Sequence, residues 1–255
     1  MKRNFERQIQ WLLKEKYDNK RSPRFFRDSQ RLKKGEPVAY LIGWQPFLNC
    51  KIDLSLRSFI PEPETEYWTE KAIEIIKNSK LKVKSHNRTK IADVFSGSGC
   101  IGVAVLKNVK NAQVDFYEID KKALKQIKIN LRINGILASR CRVISGDAFK
   151  KLKKDYDFIL ANPPYLTPRR KTAIQPAVYK YEPLNALFGG NDGLLYIKKL
   201  LCLARHHLKR DGQIWMEFDS WQKKEIEKLL KKFGYRRWQF FRDQYGCWRY
   251  VQIFY

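Results

Sequence analysis

The sequence predicts an α/β fold: a largely parallel sheet covered by helices on both faces, with an antiparallel hairpin at its C-terminal edge. Three observations predict it. From Lys90 onward, short apolar runs of strand length alternate with segments of helical periodicity, the pattern of βαβ units. Those runs are short and chiefly apolar, as strands covered on both faces are. The last stretch, Arg236 to Tyr255, divides into two strand-like halves around Gln244-Tyr245-Gly246, which supplies the antiparallel edge.

Taken in order, the chain opens with Phe5, Ile9, Leu12, Leu13 and Tyr17 in a segment running from Asn4 to about Arg31. That spacing gives a helix one buried stripe. Pro23 is expected to end the first helix. Lys34-Gly35-Glu36-Pro37 breaks the pattern. Between Phe47 and Phe59, Ile52, Leu54 and Leu56 alternate with polar residues, as in a half-exposed strand. Residues 1–45 are therefore read as a small helical N-terminal domain and 46–64 as a linking β-hairpin. Residues 65–255 form the main α/β domain, opening with a helix from about Thr65 to Lys77. Its strands are expected at Ile91–Phe95, Gln113–Tyr117, Arg142–Ser145, Asp157–Ala161 and Gln213–Glu217. Its helices are expected at Cys100–Lys107, Lys121–Ile133, Leu194–Leu208 and Trp221–Phe233.

Composition narrows the function classes. At 255 residues with 44% hydrophobic content, the chain can bury a sizeable core. No apolar run is long enough to span a bilayer, and the charged start Met1-Lys2-Arg3 is unlike a secretory signal. A cytoplasmic monomer with no membrane association is expected. The five cysteines are scattered, with no C-x-x-C pair, which argues against a disulfide framework or a zinc ribbon. Of the three histidines, His86, His206 and His207, the adjacent pair points in different directions on a helix. No metal is expected. The net charge of +26 attracts polyanions, so RNA or ribosome proximity is one partner class. The charge is too diffuse to mark a groove.

Two loops carry chemistry. Gly97-Ser98-Gly99-Cys100-Ile101-Gly102 matches G-x-G-x-x-G between a strand and a helix, and Glu118 lies 21 residues after Gly97. Glycines permit a tight turn and close backbone approach, and a carboxylate at the next strand end can accept from ribose hydroxyls. Nicotinamide and flavin enzymes share this motif. Asp93, in Asp93-x-Phe95-x-Gly97-x-Gly99, favours S-adenosylmethionine modestly. An anion there repels a pyrophosphate and suits a cationic amino group. Phe95, Ser96 and Ser98 complete the candidate cofactor loop.

The second loop, Asn162-Pro163-Pro164-Tyr165, follows the fourth strand of the main domain directly. Two prolines stiffen it and remove two donors. What remains is an array of acceptors, the Asn162 side-chain oxygen and the Pro163 carbonyl, able to hold an –NH₂ group by both hydrogens. Tyr165 offers a flat face on which a planar amide or base can stack. Such a site aims a nitrogen lone pair at a methyl carbon chiefly by positioning.

With these loops identified, the chain resembles the release factor glutamine methyltransferase family, from about Arg31 to the C-terminus. Further motifs carry the resemblance. Gly35-Glu36-Pro37-Val38-Ala39-Tyr40-Leu41-Ile42-Gly43 resembles the segment before the main domain, and Ile60-Pro61-Glu62-Pro63-Glu64-Thr65-Glu66 resembles a Pro-Arg-Pro-Glu-Thr-Glu signature. Glu182-Pro183-x-x-Ala186-Leu187-x-Gly189-Gly190-x-Asp192-Gly193-Leu194 and Glu217 followed by Gln222 are similar to later family elements. The resemblance implies a Rossmann-like class I methyltransferase sheet and S-adenosylmethionine as cofactor. It also implies transfer to the glutamine amide of a Gly-Gly-Gln motif in a peptide chain release factor. By the same resemblance Phe95 to Gly99, Glu118, Asp147, Ala148 and Asn162 would face the cofactor, Ala148 standing where members often place an aromatic. Asn162 to Tyr165 would hold the amide, with Asn162, Pro163 and Tyr165 the catalytic residues. The chain departs from the pattern in four places. Its N-terminal helical part is about half the usual length, Glu62 replaces an arginine, Phe95 a glycine and Glu118 the commoner aspartate.

Other residues admit plainer readings. Glu64 and Glu66 are candidate proton acceptors but better suit the start of a helix, where carboxylates meet the dipole. Glu182 either shapes the substrate mouth or is a solvated loop carboxylate. The aromatic C-terminus (Trp238, Phe240, Phe241, Tyr245, Trp248, Tyr250, Phe254, Tyr255) reads chiefly as strand packing, with a stacking surface for RNA as the alternative. Adenine-N6 methylation of DNA or RNA uses the same loop chemistry, and a ribosomal-protein glutamine methyltransferase is a close sibling. A degenerate fold acting as a basic assembly factor is the non-enzymatic alternative.

Overall fold

The computed structural model describes residues 2–79, 88–173 and 176–255. Two helices open the chain, α1 (Lys2–Tyr17) and α2 (Pro23–Lys33). Asp18 and Asn19 both take positive φ and end α1. Pro23 therefore does not terminate a helix, as the sequence suggested. It starts one: Ser22 caps α2, its side chain accepting from Phe25 N–H, and Pro23 stands in the first turn. A proline there forfeits no hydrogen bond, because the first N–H groups have no intrahelical partner. A short helix, α3 (Val38–Ile42), follows. Leu12, Leu13, Phe25, Leu32, Val38 and Leu41 close a separate small core among these three helices. Glu36 is buried and pins them, accepting from Arg31 at 2.8 and 2.9 Å and from Arg57 at 2.5 Å.

The hairpin pairs β1 (Trp44–Phe47) with β2 (Cys50–Asp53). Leu48 and Asn49 form its two-residue turn, both with positive φ, the twist that suits antiparallel strands. Leu54 and Leu56 fall beyond β2, although their alternation suggested a longer strand. An amide ladder fixes this hairpin to α6 (Lys121–Ile133). Asn134 exchanges hydrogen bonds with the Lys51 backbone (3.0 and 2.8 Å) and Asn130 accepts from Asp53 N–H (2.7 Å). Gln126 accepts from Leu56 N–H (2.9 Å). Residues four apart share one helix face, so three amides line up and satisfy backbone groups that a neighbouring strand would otherwise take.

The remaining elements are α4 (Pro63–Asn78), β3 (Thr89–Val94), α5 (Cys100–Asn108), β4 (Ala112–Glu118), β5 (Cys141–Ser145), α7 (Ala148–Lys151) and β6 (Tyr156–Ala161). They continue with α8 (Pro176–Tyr181), α9 (Leu195–Leu203), β7 (Leu208–Glu217), α10 (Lys223–Lys232), β8 (Arg237–Arg242) and β9 (Trp248–Phe254). Seven strands form one sheet in the order β5-β4-β3-β6-β7-β9-β8. The first five are parallel, and β9 runs antiparallel between β7 and β8. Helices cover both faces over two hydrophobic cores. The C-terminal aromatics pack as well: Phe241 stacks on Tyr250 at 4.9 Å and Tyr250 on Trp215 at 5.7 Å. Tyr245 and Tyr255 remain exposed. Among the described residues no helix is long and apolar enough to cross a membrane.

Chain order reverses between β3 and β6. Ligands of open α/β sheets bind at such a switch point, beyond the carboxyl ends of the strands. Register makes those ends flush: Val94 pairs with Tyr117 and with Ala161, and Ala161 pairs with Met216. The next residues, Phe95, Glu118, Asn162 and Glu217, therefore form one row along that edge.

Candidate active site

The turn after β3 folds tightly because three residues take positive φ: Phe95 (63°), Gly97 (54°) and Gly99 (80°). A non-glycine residue in this region carries strain of about 1–3 kcal/mol. Phe95 stands where the related pattern has glycine, and its ring is held edge-on by Phe149 (5.7 Å) and Tyr196 (5.6 Å). Ser96 is buried; its hydroxyl reaches the carbonyls of Asp93 and Tyr117 (2.8 and 3.2 Å). The Ser98 carbonyl accepts from Asn130 (2.9 Å), so the amide ladder also braces this loop. A Cβ on Gly102 would sit 2.3 Å from the Phe116 ring, which explains the third glycine of the motif by close helix–strand packing.

Glu118 curls back on its own turn. Oε2 accepts from Gly97 N–H (2.8 Å), and Oε1 from Ile119 and Asp120 N–H (2.7 and 2.8 Å). Burial raises its pKa while those three donors draw it down. About one further lone pair is left on Oε2 for a ribose hydroxyl. Asp93 is fully buried under the start of α5. Its Oδ2 accepts from Gly102 N–H (3.0 Å), while Oδ1 has no partner. Burial pushes it up to about 7. A buried carboxylate oxygen lacking a donor fits a cationic amino group, so the residues present suit S-adenosylmethionine. Asp147 caps α7, accepting from Phe149 N–H (2.9 Å), and Ala148 is buried. The ring of Phe149, one residue on, packs edge-on against Phe95.

The Asn162–Tyr165 loop is held from three sides. Asn162 donates through Nδ2 to Thr65 Oγ1 (3.2 Å). Thr65 donates to Glu217 Oε2 (2.6 Å), which also accepts from Trp68 Nε1 (2.6 Å). Glu217 Oε1 accepts from the Tyr165 hydroxyl (2.9 Å). Glu217 is fully buried; burial raises its pKa and its donors draw it back. The Tyr165 hydroxyl is pushed well up by burial and by Glu217, so it stays protonated and donates. Gln222 Nε2 holds the Tyr165 carbonyl (3.1 Å) and the Gly193 carbonyl (3.0 Å). A Cβ on Gly189 would sit 2.4 Å from Pro164 O, and one on Gly193 2.3 Å from Tyr165 O. The glycines after the loop are thus where a second backbone lies against it.

The motif reading singled out Asn162 to Tyr165 and weighed Glu64 and Glu66 as helix-start carboxylates, but gave Thr65 no role. Those two stand in the first turn of α4, and Glu66 accepts from Leu48 N–H (2.8 Å). The signal for Thr65 was its place in Pro-Glu-Thr-Glu, opposite a late glutamate. Glu182 is half-buried and accepts from Ile60 N–H (3.2 Å). Burial pushes Glu182 up to about 7. Burial, with Glu217, Glu64 and Glu182 nearby, pushes Glu62 up to about 8. Arg249 pairs with the buried Asp243 at 3.0 Å. His206 and His207 lie on a 3-10 turn after α9, and His86 lies outside the described residues.

A seven-stranded sheet of this order, with a glycine loop and an acceptor loop at its switch point, defines a class I methyltransferase. A family model described as "Methyltransferase small domain" matches residues 76–179. A methyltransferase structure from Pyrococcus furiosus superposes with a TM-score of 0.58 at 18% identity, over 89% of this chain and 97% of that one. The release factor glutamine methyltransferase of Flavobacterium psychrophilum is 32% identical, over 88% of this chain and 77% of its own. That of Thermodesulfovibrio yellowstonii is 34% identical, over 85% and 75%. The chain belongs to the release factor glutamine methyltransferase family.

Proposed function

We propose that this protein transfers a methyl group from S-adenosylmethionine to the side-chain amide nitrogen of a glutamine, that of the Gly-Gly-Gln motif in a peptide chain release factor. The observation that carries the reading is the locked Asn162 amide. Its NH₂ is spent on Thr65, which leaves Oδ1 to accept from a substrate nitrogen at the sheet edge where the glycine loop lies. Bound S-adenosylmethionine supplies an electrophilic methyl carbon. Asn162 Oδ1 and the Pro163 carbonyl accept the two amide hydrogens, which concentrates electron density on nitrogen and fixes the direction of its lone pair. Tyr165 is tethered through its hydroxyl, so its ring forms a fixed wall against the planar amide. Pro163 and Pro164 keep the acceptors from swinging away. Fixed orientation of this kind is worth several kcal/mol of barrier, up to about 7–11 in well-aligned reactions. The main domain over residues 65–255 holds every residue in this account. Translation termination places the reaction in the cytoplasm.

A second reading, adenine-N6 methylation, is favoured by one feature. A groove of about 440 Å³ beside the loop is lined by Arg169, Arg170, Lys198, Lys228 and Lys232, with Trp221 under Arg170; Asp192 and Glu225 in the same lining pair with Lys198 and Lys228. Incubation with labelled S-adenosylmethionine and either a release factor or DNA and RNA separates the two. Mass spectrometry should find one added methyl on the Gly-Gly-Gln glutamine; label on adenine with none on the release factor overturns the glutamine reading.

A further inference from the structure

The hydrogen bonds around Glu217 have a polarity, and that polarity decides which way Asn162 points. A threonine hydroxyl has one hydrogen to give, an indole N–H can only donate, and an ionised carboxylate can only accept. Trp68 Nε1 and Thr65 Oγ1 both meet Glu217 Oε2 at 2.6 Å. The Thr65 hydrogen therefore goes to Glu217, and its oxygen is left as an acceptor. The Asn162 atom 3.2 Å from that oxygen must then be the NH₂. With the amide turned over, two oxygens would face each other without a hydrogen, and the NH₂ would confront the NH₂ of an incoming amide.

We propose that Thr65 and Glu217 are positioning residues for methyl transfer: they set the orientation of the Asn162 amide so that Oδ1 faces the substrate nitrogen. They act through Asn162 and touch neither substrate nor cofactor. Glu217 does double duty, since its Oε1 tethers the Tyr165 hydroxyl at 2.9 Å. The register explains how it can. Ala161 pairs with Met216, so Asn162 and Glu217 leave adjacent strands side by side, with Thr65 of α4 laid across them. The Pro-Glu-Thr-Glu segment and the late glutamate, distant in sequence, form one device. The inference rests on the reading of Asn162 Oδ1 as a substrate acceptor.

The test compares the wild-type chain with Thr65→Val, Thr65→Ser and Glu217→Gln. Valine keeps the shape and removes the hydroxyl. Thr65→Val should lower kcat roughly 30-fold or more while the cofactor Kd, by calorimetry, stays within about twofold. Thr65→Ser keeps the hydroxyl and should stay within about threefold of wild type in kcat. In Glu217→Gln the carbonyl oxygen must take the side of the Trp68 N–H and Thr65, which puts the NH₂ against the Tyr165 hydroxyl and reverses that tether, so kcat should fall about tenfold at an unchanged cofactor Kd. The proposal is overturned if Thr65→Val turns over like wild type, if serine fails to rescue, or if kcat and cofactor affinity fall together. Should Thr65→Val not fold, Thr65→Ala removes the same hydroxyl, and a folded Thr65→Ala that turns over like wild type overturns it equally. A readout independent of turnover is the nuclear Overhauser contact from the Asn162 side-chain NH₂ to the Thr65 methyl. It should be present in the wild type, and its absence shows the amide turned over. A wild-type chain that shows this contact but methylates no glutamine refutes the functional reading and leaves the orientation standing.

Discussion

Asn162 is the residue on which the proposed chemistry converges, and its environment would separate binding from catalysis. Its amide meets Thr65, whereas the glycine loop is organised by Glu118, Asn130 and Ser96. Asn162→Ala should therefore lower kcat by about 10²-fold or more while leaving the Kd of S-adenosylmethionine nearly unchanged. Single-turnover transfer and calorimetry check this; turnover that survives the substitution refutes the role. At this scale the sequence was readable where a residue's chemistry is written in its own neighbours. Asn162-Pro163-Pro164-Tyr165 and Gly97 to Gly102 are local patterns with local reasons. Thr65 was not readable, because its function lies in a hydrogen bond to a residue 152 positions away. Glu118 shows the opposite limit. Its position follows from strand and loop spacing, but its curl onto three backbone N–H groups depends on a turn that periodicity does not describe.

Between elements, the catalytic loop is shaped as much by what packs behind it as by its own prolines. The segment from Gly189 to Gly193 lies against it backbone to backbone: Gly189 N–H donates to Leu166 O at 2.9 Å, and Gln222 ties Tyr165 to Gly193. Gly193 takes φ +67°, and a Cβ there would overlap Tyr165 O at 2.3 Å. Gly193→Ala should cost roughly 1–3 kcal/mol of stability and push the Tyr165 carbonyl, hence the acceptor array, out of line. The expected result is a lower unfolding midpoint together with a kcat loss larger than the loss in cofactor affinity. An alanine variant with wild-type kcat shows that the two backbones are not in register contact. The parallel strands were legible because each has a short, chiefly apolar centre between helical segments, and β3, β4, β5 and β6 fall within a residue or two of their expected bounds. Pro23 was misread because a proline ends one helix and opens another with the same restriction on φ. The deciding feature is Ser22, whose side chain caps α2 by accepting from Phe25 N–H.

Over the whole molecule, charge is distributed unevenly. Against a net charge of +26, the loop that should receive the substrate is backed by carboxylates: Glu217 fully buried, with Glu62 and Glu182 half-buried near it. Glu62 stands where the family pattern carries arginine, so here a carboxyl group joins a cluster of carboxyls that disfavours its ionisation. Burial, reinforced by Glu217, Glu64 and Glu182, holds Glu62 up at about 8 against an ordinary value of 4.5. The folded state therefore binds a proton that the unfolded chain releases between those limits, and stability must fall as pH rises through that window. The contribution is intact below the unfolded value and fully lost above the folded one. Glu62→Gln removes the ionisation while keeping the shape, so its advantage over wild type should be smallest near pH 5 and grow towards pH 8.5. A gain on the order of 1 kcal/mol at the upper end corresponds to about 2–4 °C in Tm for a chain of this size. Thermal unfolding of both proteins across that range reads the difference directly. A difference that stays flat or shrinks with rising pH means that Glu62 is already ionised in the fold, and that the carboxylates around the catalytic loop are better solvated or better paired than their packing implies.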